Sequence, residues 1–517
     1  MNHPLPKALL DELAAIVGNG DLLLDPLNCA AAAADIFVWP DGVAAQAVIR
    51  PGSTEQMSQV MQALAKSDVA VVPRGAGLSY TAGVVPGTAA VVVDCLRLNH
   101  IQVFAQDMYV IVGAGTTWQE LADALKPHGL RAAQISPISG SHSTVGGVAS
   151  QNLPGGLEHF IGLTVVLADG TVVTTGSGAK NGASAFTRYA GPDLTGLFLG
   201  DCGAFGIKTE LVLRLAVERE AAFASFQFDN YEDMLDALIC LRQRELVTRA
   251  LSMDQLKAKS ATQVDVEEAL GVAKAVISES KSLGGAIQDL TQLAFGRGEL
   301  KRAKWSLHLT VEAATPEMAE SQMVLARGVC VGKGQEIDNM IPKAMRAKPY
   351  SIRGLVGPEG ERWVPIHAIL PLSRAQSCMR DLVAQLQGFE VQFQAAGVFY
   401  SWIISTLGAY ITIEPMFYWK DQLDAIHMAH LSPRNQTRFS NFELNPQARA
   451  LVAQVRDQLR QVMANHDAVH AQMGRFYPYL PGLTPGSQSL VQRIKLALDP
   501  HGTMNPGVLG LGPGVRP

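Results

Sequence analysis

Three clusters of glycine and small hydroxylated residues, each set where a β-branched run ends, constrain this chain more than any other feature of its sequence. The first, Pro73-Arg74-Gly75-Ala76-Gly77-Leu78-Ser79-Tyr80-Thr81-Ala82-Gly83, directly follows a Val-rich run. The second lies between Ser136 and Ala149, and the third is Gly200-Asp201-Cys202-Gly203-Ala204-Phe205-Gly206-Ile207. Glycine lets a main chain pass close to a diphosphate, and successive N–H groups can form a nest for an anion. Small hydroxylated side chains can border a planar ring system and donate to its oxygens, where bulkier ones would exclude it. The first cluster is not a Walker loop, because no Gly-Lys-Ser/Thr follows, and it does not match Gly-x-Gly-x-x-Gly opening a helix. Alone, it reads as well as a glycine-rich turn without a ligand. Three such turns in one stretch are hard to explain as independent.

The runs between the clusters are short and β-branched. Asp68 to Pro73, Ala89 to Cys95, Met108 to Gly113 and Lys208 to Leu215 read as strands. Trp118 to Lys126 reads as a helix with Thr116 or Thr117 as its cap and Gly129 after its end. Leu163 to Leu167 and Val172 to Thr175 flank Asp169-Gly170, whose positive φ values would close a hairpin. Beyond about Glu218 the texture changes to longer helical stretches such as Tyr231 to Glu245, with strand-like pieces at Ser306 to Val311 and Trp363 to Leu370. Helices are placed at Ala448 to Met463 and Ser489 to Leu498, while Leu256 to Leu300 is the least readable part. A chain of 517 residues exceeds what one core usually supports. The expected organisation is α+β, with domains over 1–217 and 218–445 and a closing segment over 446–517.

A net charge of −5 and the absence of a Lys/Arg-rich block exclude a general field for nucleic acid. Six scattered cysteines without a Cys-x-x-Cys spacing suit buried thiols in a reducing compartment, so no metal site is expected. The N-terminal stretch reads as an amphipathic helix without the features of a signal peptide, and no apolar run would span a bilayer. A cytoplasmic location is the expectation.

The order and spacing of the clusters resemble the FAD-binding domain of the vanillyl-alcohol oxidase and p-cresol methylhydroxylase superfamily, which includes glycolate oxidase and D-lactate dehydrogenase subunits. The resemblance runs over about Ala44 to Leu215 and resumes at Leu490 to Gly507, where Lys495-Leu-Ala-Leu-Asp-Pro-His-Gly-Thr-Met-Asn-Pro-Gly507 is similar to the family's closing motif. It implies a two-subdomain FAD-binding domain of the p-cresol methylhydroxylase type plus an α/β cap domain with an antiparallel sheet. By resemblance, Arg74, Gly75, Ala76, Gly77, Leu78 and Ser79 would hold the FAD diphosphate. Pro137, Ser139, Gly140, Ser143, Thr144, Gly146 and Gly147 would border the ribityl chain and isoalloxazine. Gly206 and Ile207 would touch the adenine side, and Asn505 would close over the cofactor. Many relatives tether FAD through a histidine; the first loop carries Ala76, and Ile411 and Thr412 stand where some relatives have paired histidines, so FAD is expected to be non-covalent.

The resemblance also implies hydride transfer from a substrate C–H bond to flavin N5, with the protein positioning the carbon and handling a hydroxyl proton. Tyr80 is the first-loop candidate for contact with a substrate oxygen; a packed aromatic with a satisfied hydroxyl is the plainer alternative. In His470-Ala471-Gln472-Met473-Gly474-Arg475-Phe476-Tyr477, His470 is a candidate general base and Tyr477 or Arg475 a candidate oxyanion holder. His142 is a weaker alternative. The histidine pair of the hydroxy-acid enzymes is not visible between Ala395 and Ile413, and the phenol oxidases' aspartate near the second cluster is replaced by Gly140 and Ser141. The substrate therefore stays open between a hydroxybenzyl or alkylphenol compound and a D-2-hydroxy acid such as lactate or glycolate. Aromatic runs at Phe399 to Trp402, Phe417 to Trp419 and Phe476 to Tyr479 suit a flat or apolar substrate, although aromatic runs on strands are more often core. Glu414 beside one run could have a raised pKa or pair with Arg353, Arg362 or Arg374. The alternative function is an accessory, non-catalytic flavin-binding subunit of an electron-transfer complex. A cytochrome or iron-sulfur electron acceptor and a homodimer are implied by resemblance.

Overall fold

The computed structural model describes residues 5–133, 137–262, 302–350, 355–407 and 409–512. Ser136, Arg353 and most of the stretch from Leu256 to Leu300 lie outside them. The chain divides into two compact units, one of Met1–Val217, Asp424–Ala429 and Ala471–Pro517, the other of Glu218–Leu423 and His430–His470. The closing segment expected over 446–517 is thus shared. The helix Pro446–Ala464 packs on the helices Ala375–Gln387 and Glu390–Ala396 of the second unit, burying Val452, Val455, Leu459 and Met463.

The first unit holds two sheets. In one, β1 (Leu22–Leu23), β2 (Ala47–Ile49), β3 (Ala70–Arg74) and β4 (Ala90–Asp94) run in the order β1-β2-β4-β3, and the last three are parallel. Apart from Arg74 and Asp94 at their C-terminal ends, these strands are apolar, with helices on one face and a second cluster of small apolar residues on the other. The helices Lys7–Val17 and Thr54–Ala65 bury Leu9, Leu13, Met57, Val60 and Leu64 against Val71, Val91 and Val93, and Met504 from the chain's far end joins the same core. The other sheet is antiparallel. It contains β5 (Ile101–Phe104), β6 (Tyr109–Gly113), β7 (Leu130–Ala132), β8 (Phe160–Val166), β9 (Val172–Thr174) and β10 (Ile207–Val217), in the order β5-β6-β10-β8-β9 with β7 on β10.

Local signals decide several boundaries. The helix Trp118–Leu125 opens with a capping box in which the Thr117 and Glu120 side chains and main-chain N–H groups satisfy one another, and Gly129 follows with φ +64°. The β8–β9 hairpin differs from expectation. Only Gly170 takes a positive φ, +85°, so its loop is a turn plus a glycine bulge rather than a two-residue turn. The strand expected from Trp363 to Leu370 is broken in two at Pro365, which cannot continue the ladder.

The second unit is an eight-stranded antiparallel sheet. Its strands are β11 (Glu220–Phe228), β12 (Arg249–Asp254), β13 (Trp305–Ala313), β14 (Gln335–Ile337), β15 (Arg362–Pro365), β16 (Ala368–Leu370), β17 (Val398–Leu407) and β18 (Tyr410–Trp419). They run β14-β11-β13-β12-β17-β18-β15, with β16 on β18. Alternation puts Leu307, Leu309, Ile404, Ile413 and Phe417 on a face that is fully buried, where Phe393 of the helix Glu390–Ala396 lies 6.2 Å from the Phe417 ring. The opposite face carries Ser225, His308, Thr412, Glu414 and Tyr418. Among the described residues no helix is long and apolar enough to cross a membrane.

Because Met504 is fully buried in the core of the parallel sheet, Met504→Ala should destabilise the first unit by about 2–5 kcal/mol. Urea denaturation followed by circular dichroism measures this, and an unchanged midpoint would mean the tail adds nothing to that core.

Candidate functional site

The first cluster begins at the C-terminal end of β3, where a parallel sheet presents its loops to ligands. Arg74 does not point outward. Its Nη1 donates to the carbonyls of Ala32 (3.0 Å) and Ala34 (2.6 Å), and its guanidinium lies beneath Gly77, where a Cβ would meet Nη2 at 2.0 Å. Burial opposes its charge, and Asp94 and Asp35 favour it. Asp35, fully buried, accepts from the main-chain N–H groups of Phe37 and Ala82 and from Trp39 Nε1, each at 2.9 Å, so it fixes the far end of the same loop.

The second cluster is a self-bonded turn leading into a helix. Ser139 and Ser143 share a hydroxyl hydrogen bond of 2.5 Å, Gly140 N–H donates to the Pro137 carbonyl, and Thr144 Oγ1 caps the helix Val145–Ser150 by accepting from Gly147 N–H at 3.1 Å. A Cβ on Gly75 would stand 2.6 Å from Thr144 Oγ1, so the first and second turns touch. The third turn reaches both. Gly203, with φ +73°, would place a Cβ 2.4 Å from Pro73 Cγ, and Cys202 N–H donates to the Ser150 carbonyl at 2.8 Å. One cavity results, lined by Gly75 from the first turn, Thr144, Gly146 and Gly147 from the second, and Gly203, Gly206 and Ile207 from the third. Arg74 also borders it, whereas Ala76, Gly77, Leu78, Ser79, Pro137, Ser139, Gly140, Ser143 and Asn505 stand outside its lining.

The segment from Lys495 to Asn505 fastens these turns. Val71 N–H donates to the Thr503 carbonyl and Asn505 N–H to the Val71 carbonyl, both at 2.8 Å, extending the sheet beside β3. Asn505 is fully buried, and its Nδ2 donates to the carbonyls of Gly83 (2.8 Å) and Cys202 (2.7 Å), joining first and third clusters. Lys495 donates to Asp499 (2.6 Å) and to the carbonyls of Ala204 and Met504, both 2.8 Å.

Of the residues expected to act on substrate, three lie in this unit. Tyr80 is buried, and its hydroxyl accepts from Gln472 Nε2 at 2.8 Å, while Gln472 N–H donates to the Gln151 carbonyl at 2.6 Å. Tyr477 is buried with its ring 4.9 Å from Phe476. Arg475 donates to the carbonyls of Ala82, Val85 and Pro506, so the fork offered for an oxyanion is engaged by main chain. Sequence reading passed over Asp35 and Gln151, and it gave no role to Gln472 or to the Lys495–Asp499 pair. Gln472, two residues after His470, and the pair, inside the closing motif, both carried a positional signal.

His470 belongs to the second unit. Its Nδ1 donates to the His367 carbonyl at 2.7 Å, which fixes the tautomer, and burial pulls its pKa down to about 4. His367 Nε2 stands 3.6 Å from Glu414 Oε1. Burial brings His367 down to about 3 and raises the Glu414 carboxyl to about 7. The two groups are thus a neutral imidazole beside a carboxyl that titrates near neutrality. Arg362 instead pairs with Asp421, and Arg374 with Asp467. Farther along β18, Tyr418 stacks on Phe399 with ring centres 5.1 Å apart, and its hydroxyl accepts from Lys257 Nζ at 3.3 Å. His142, in the first unit, has its pKa lowered by burial.

Residues 45–176 match the family described as FAD binding domain. The chain carries an FAD-binding domain. The surrounding fold is of the p-cresol methylhydroxylase type: the structure of that enzyme with substrate bound aligns with a TM-score of 0.70 at 16% identity, over 98% of this chain and 96% of the other. The 4-ethylphenol oxidase of Gulosibacter chungangensis aligns at 0.69 and 17% identity, over 98% and 97%. In sequence, the chain is 28% identical over 225 residues to a mitochondrial D-lactate dehydrogenase [cytochrome] of Arabidopsis thaliana, 41% of this chain and 38% of the relative. It is 32% identical over 185 residues to glycolate oxidase subunit GlcD of Bacillus subtilis, 34% of this chain and 37% of the relative. The chain thus spans less than half the length of these curated relatives. The glycines that line the cavity fit the cofactor: Gly75, Gly146, Gly203 and Gly206 leave no room for a Cβ, and main chain without side chains there is what close approach to a dinucleotide needs.

Two outcomes follow. Arg475→Met leaves buried carbonyls without a donor and should cost about 1–3 kcal/mol of first-unit stability; a variant with full stability in chemical denaturation would release Arg475 from this structural duty. In the second unit, the Glu414 carboxyl, ordinarily near 4.5, keeps a proton in the folded chain up to about 7, so its contribution falls as pH rises through that window. His367 and His470, ordinarily near 6.5, act oppositely: the unfolded chain takes up protons that the folded one refuses, and stability falls as pH drops. Glu414→Gln should therefore make stability climb more steeply between pH 4.5 and 6.5 than in the parent. Urea midpoints across that range decide it, and identical slopes would refute the assignment.

Proposed function

We propose that the chain is an FAD-dependent oxidoreductase that takes a hydride from the carbon of a small hydroxylated substrate, with D-2-hydroxy acids such as lactate or glycolate as the first substrate class. The observation that carries this is the meeting of three glycine turns on one cavity, the first two of them within residues 45–176, which match an FAD-binding family. Main chain at Gly75, Gly147, Gly203 and Gly206 would lie against the cofactor, and the neighbouring loop residues from Ala76 to Ser79 and from Pro137 to Ser143 would complete its enclosure. Bound FAD would supply the hydride acceptor at N5. Non-covalent binding is favoured by the absence of histidine from Pro73 to Gly83 and by Ile411 and Thr412 on β18. The hydroxy-acid class is supported by the names of the sequence relatives, D-lactate dehydrogenase and a glycolate oxidase subunit. A cytochrome-type electron acceptor and a homodimer belong to the same reading.

The chain's own part is to hold and move a proton. A general base works best with a pKa near the operating pH. Glu414, at about 7, suits that role better than His470, whose Nε2 stays neutral but weakly basic at about 4. In the first unit, Tyr80, its hydroxyl oriented by Gln472, and Tyr477 remain the candidates for contact with a substrate oxygen.

A second substrate class, hydroxybenzyl and alkylphenol compounds, is favoured by one specific feature. The stacked Phe399–Tyr418 pair with Lys257 at the phenol oxygen offers an aromatic wall with a cation at its polar edge. Anaerobic mixing with D-lactate, glycolate and a 4-alkylphenol panel distinguishes the two. Bleaching of the flavin by the hydroxy acids alone is expected; bleaching by the phenols alone would move the assignment to the second class. Flavin that no substrate reduces would favour the accessory electron-transfer subunit. Yellow colour remaining on acid-precipitated protein would overturn non-covalent binding.

A further inference from the structure

We propose that Lys208 is a ligand of the FAD diphosphate and that Asp201 holds its ammonium at the wall of the glycine cavity. This rests on reading that cavity as the FAD site. Lys208 sits at the start of β10, opposite Val165 of β8. Its neighbour Ile207 packs into the core of the parallel sheet, so alternation turns Lys208 the other way. Its side chain is 2% exposed and lines the cavity with Gly75, Gly147 and Gly203.

The chemistry of its surroundings singles it out. Asp201 is fully buried, and besides Lys208 Nζ its carboxylate accepts from the main-chain N–H groups of Gly203 (3.0 Å) and Phe205 (3.2 Å). The carboxylate is therefore held by the third turn itself, and its place does not depend on the lysine. An ammonium has three donors, and Asp201 is the one hydrogen-bond partner of the Lys208 ammonium among the described residues. Donor capacity is left over on a buried cation at the edge of a cavity built to approach a diphosphate.

The neighbouring cations are engaged elsewhere. Arg74 donates to the carbonyls of Ala32 and Ala34, and Lys495 to Asp499 and to two carbonyls. The thiols of Cys95 and Cys202, which line the same cavity, are neutral because burial raises both to about 12. Stability alone does not account for the pair, since a buried ion pair is commonly no better than well-packed apolar side chains of the same size.

The test is FAD binding, not turnover. Flavin-free protein is titrated with FAD by fluorescence at two salt concentrations, in the parent, in the double variant Asp201→Asn/Lys208→Met and in Lys208→Arg. The double variant avoids stranding an unpaired buried carboxylate, which could unfold Lys208→Met by itself. Expected are a tenfold or greater loss of FAD affinity in the double variant at an unchanged thermal midpoint, a weaker salt dependence of that affinity, and affinity within threefold of the parent in Lys208→Arg. Asp201→Asn alone should bind FAD at least as tightly as the parent. Double-variant affinity within twofold of the parent, or a loss with unaltered salt dependence, would overturn the role of Lys208 while leaving the FAD site standing. A parent that binds no FAD would overturn the cofactor reading as well.

Discussion

Asn505 makes two hydrogen bonds on which the arrangement of the first unit depends. Its amide donates to the carbonyls of Gly83 and Cys202, residues that end the first glycine cluster and begin the third. Both acceptors belong to tight turns that bury main-chain oxygen, and an unpaired buried carbonyl is costly. The residue can do this only because the tail has already been aligned beside β3 through Val71, with Met504 in the core and Asp499 collecting the N–H groups of Thr503 and Met504. A residue 422 positions from one turn it joins and 303 from the other thus fixes how far apart those turns stand, and with them the width of the glycine-lined cavity.

The same unit shows why its glycines cannot be exchanged. At Gly75 and Gly203 the limit is distance, because any Cβ would overlap Thr144 or Pro73. Gly203 adds a positive φ that side chains disfavour. The clusters were legible because close approach of three main chains leaves a local signature in residue type. Capping at Thr117 and Glu120 and the strand runs around the clusters were legible for a similar reason, since the interactions that decide them lie within a few residues. The hairpin at Gly170 was located correctly and its turn misread, because Asp-Gly suits both a two-residue turn and a bulged one and the choice depends on register with the partner strand.

What stayed hidden depends on residues distant in sequence. Asp35 looks like any acidic residue in an alanine-rich stretch until Trp39 and Ala82 are placed around its carboxylate. Arg74 sits by position in the cluster expected to hold a diphosphate, yet its guanidinium turns back to Ala32 and Ala34 because Gly77 leaves room beneath the loop. Arg475 likewise reads as a substrate clamp and serves as a main-chain clamp. A cation's type can be read from the sequence, whereas its partners come from the fold.

The second unit inverts the usual charges. An exposed histidine at neutral pH is partly protonated and an exposed glutamate fully ionised, but burial reverses both tendencies at Glu414, His367 and His470. Each group is pushed toward its uncharged form by the same desolvation, and the hydrogen bond from His470 to the His367 carbonyl keeps that imidazole in one tautomer. The polar face of the sheet therefore carries a carboxyl near its midpoint of titration, with the neutral His367 imidazole 3.6 Å away. Of these three groups only the carboxyl titrates near neutral pH, and burial keeps both histidines uncharged there.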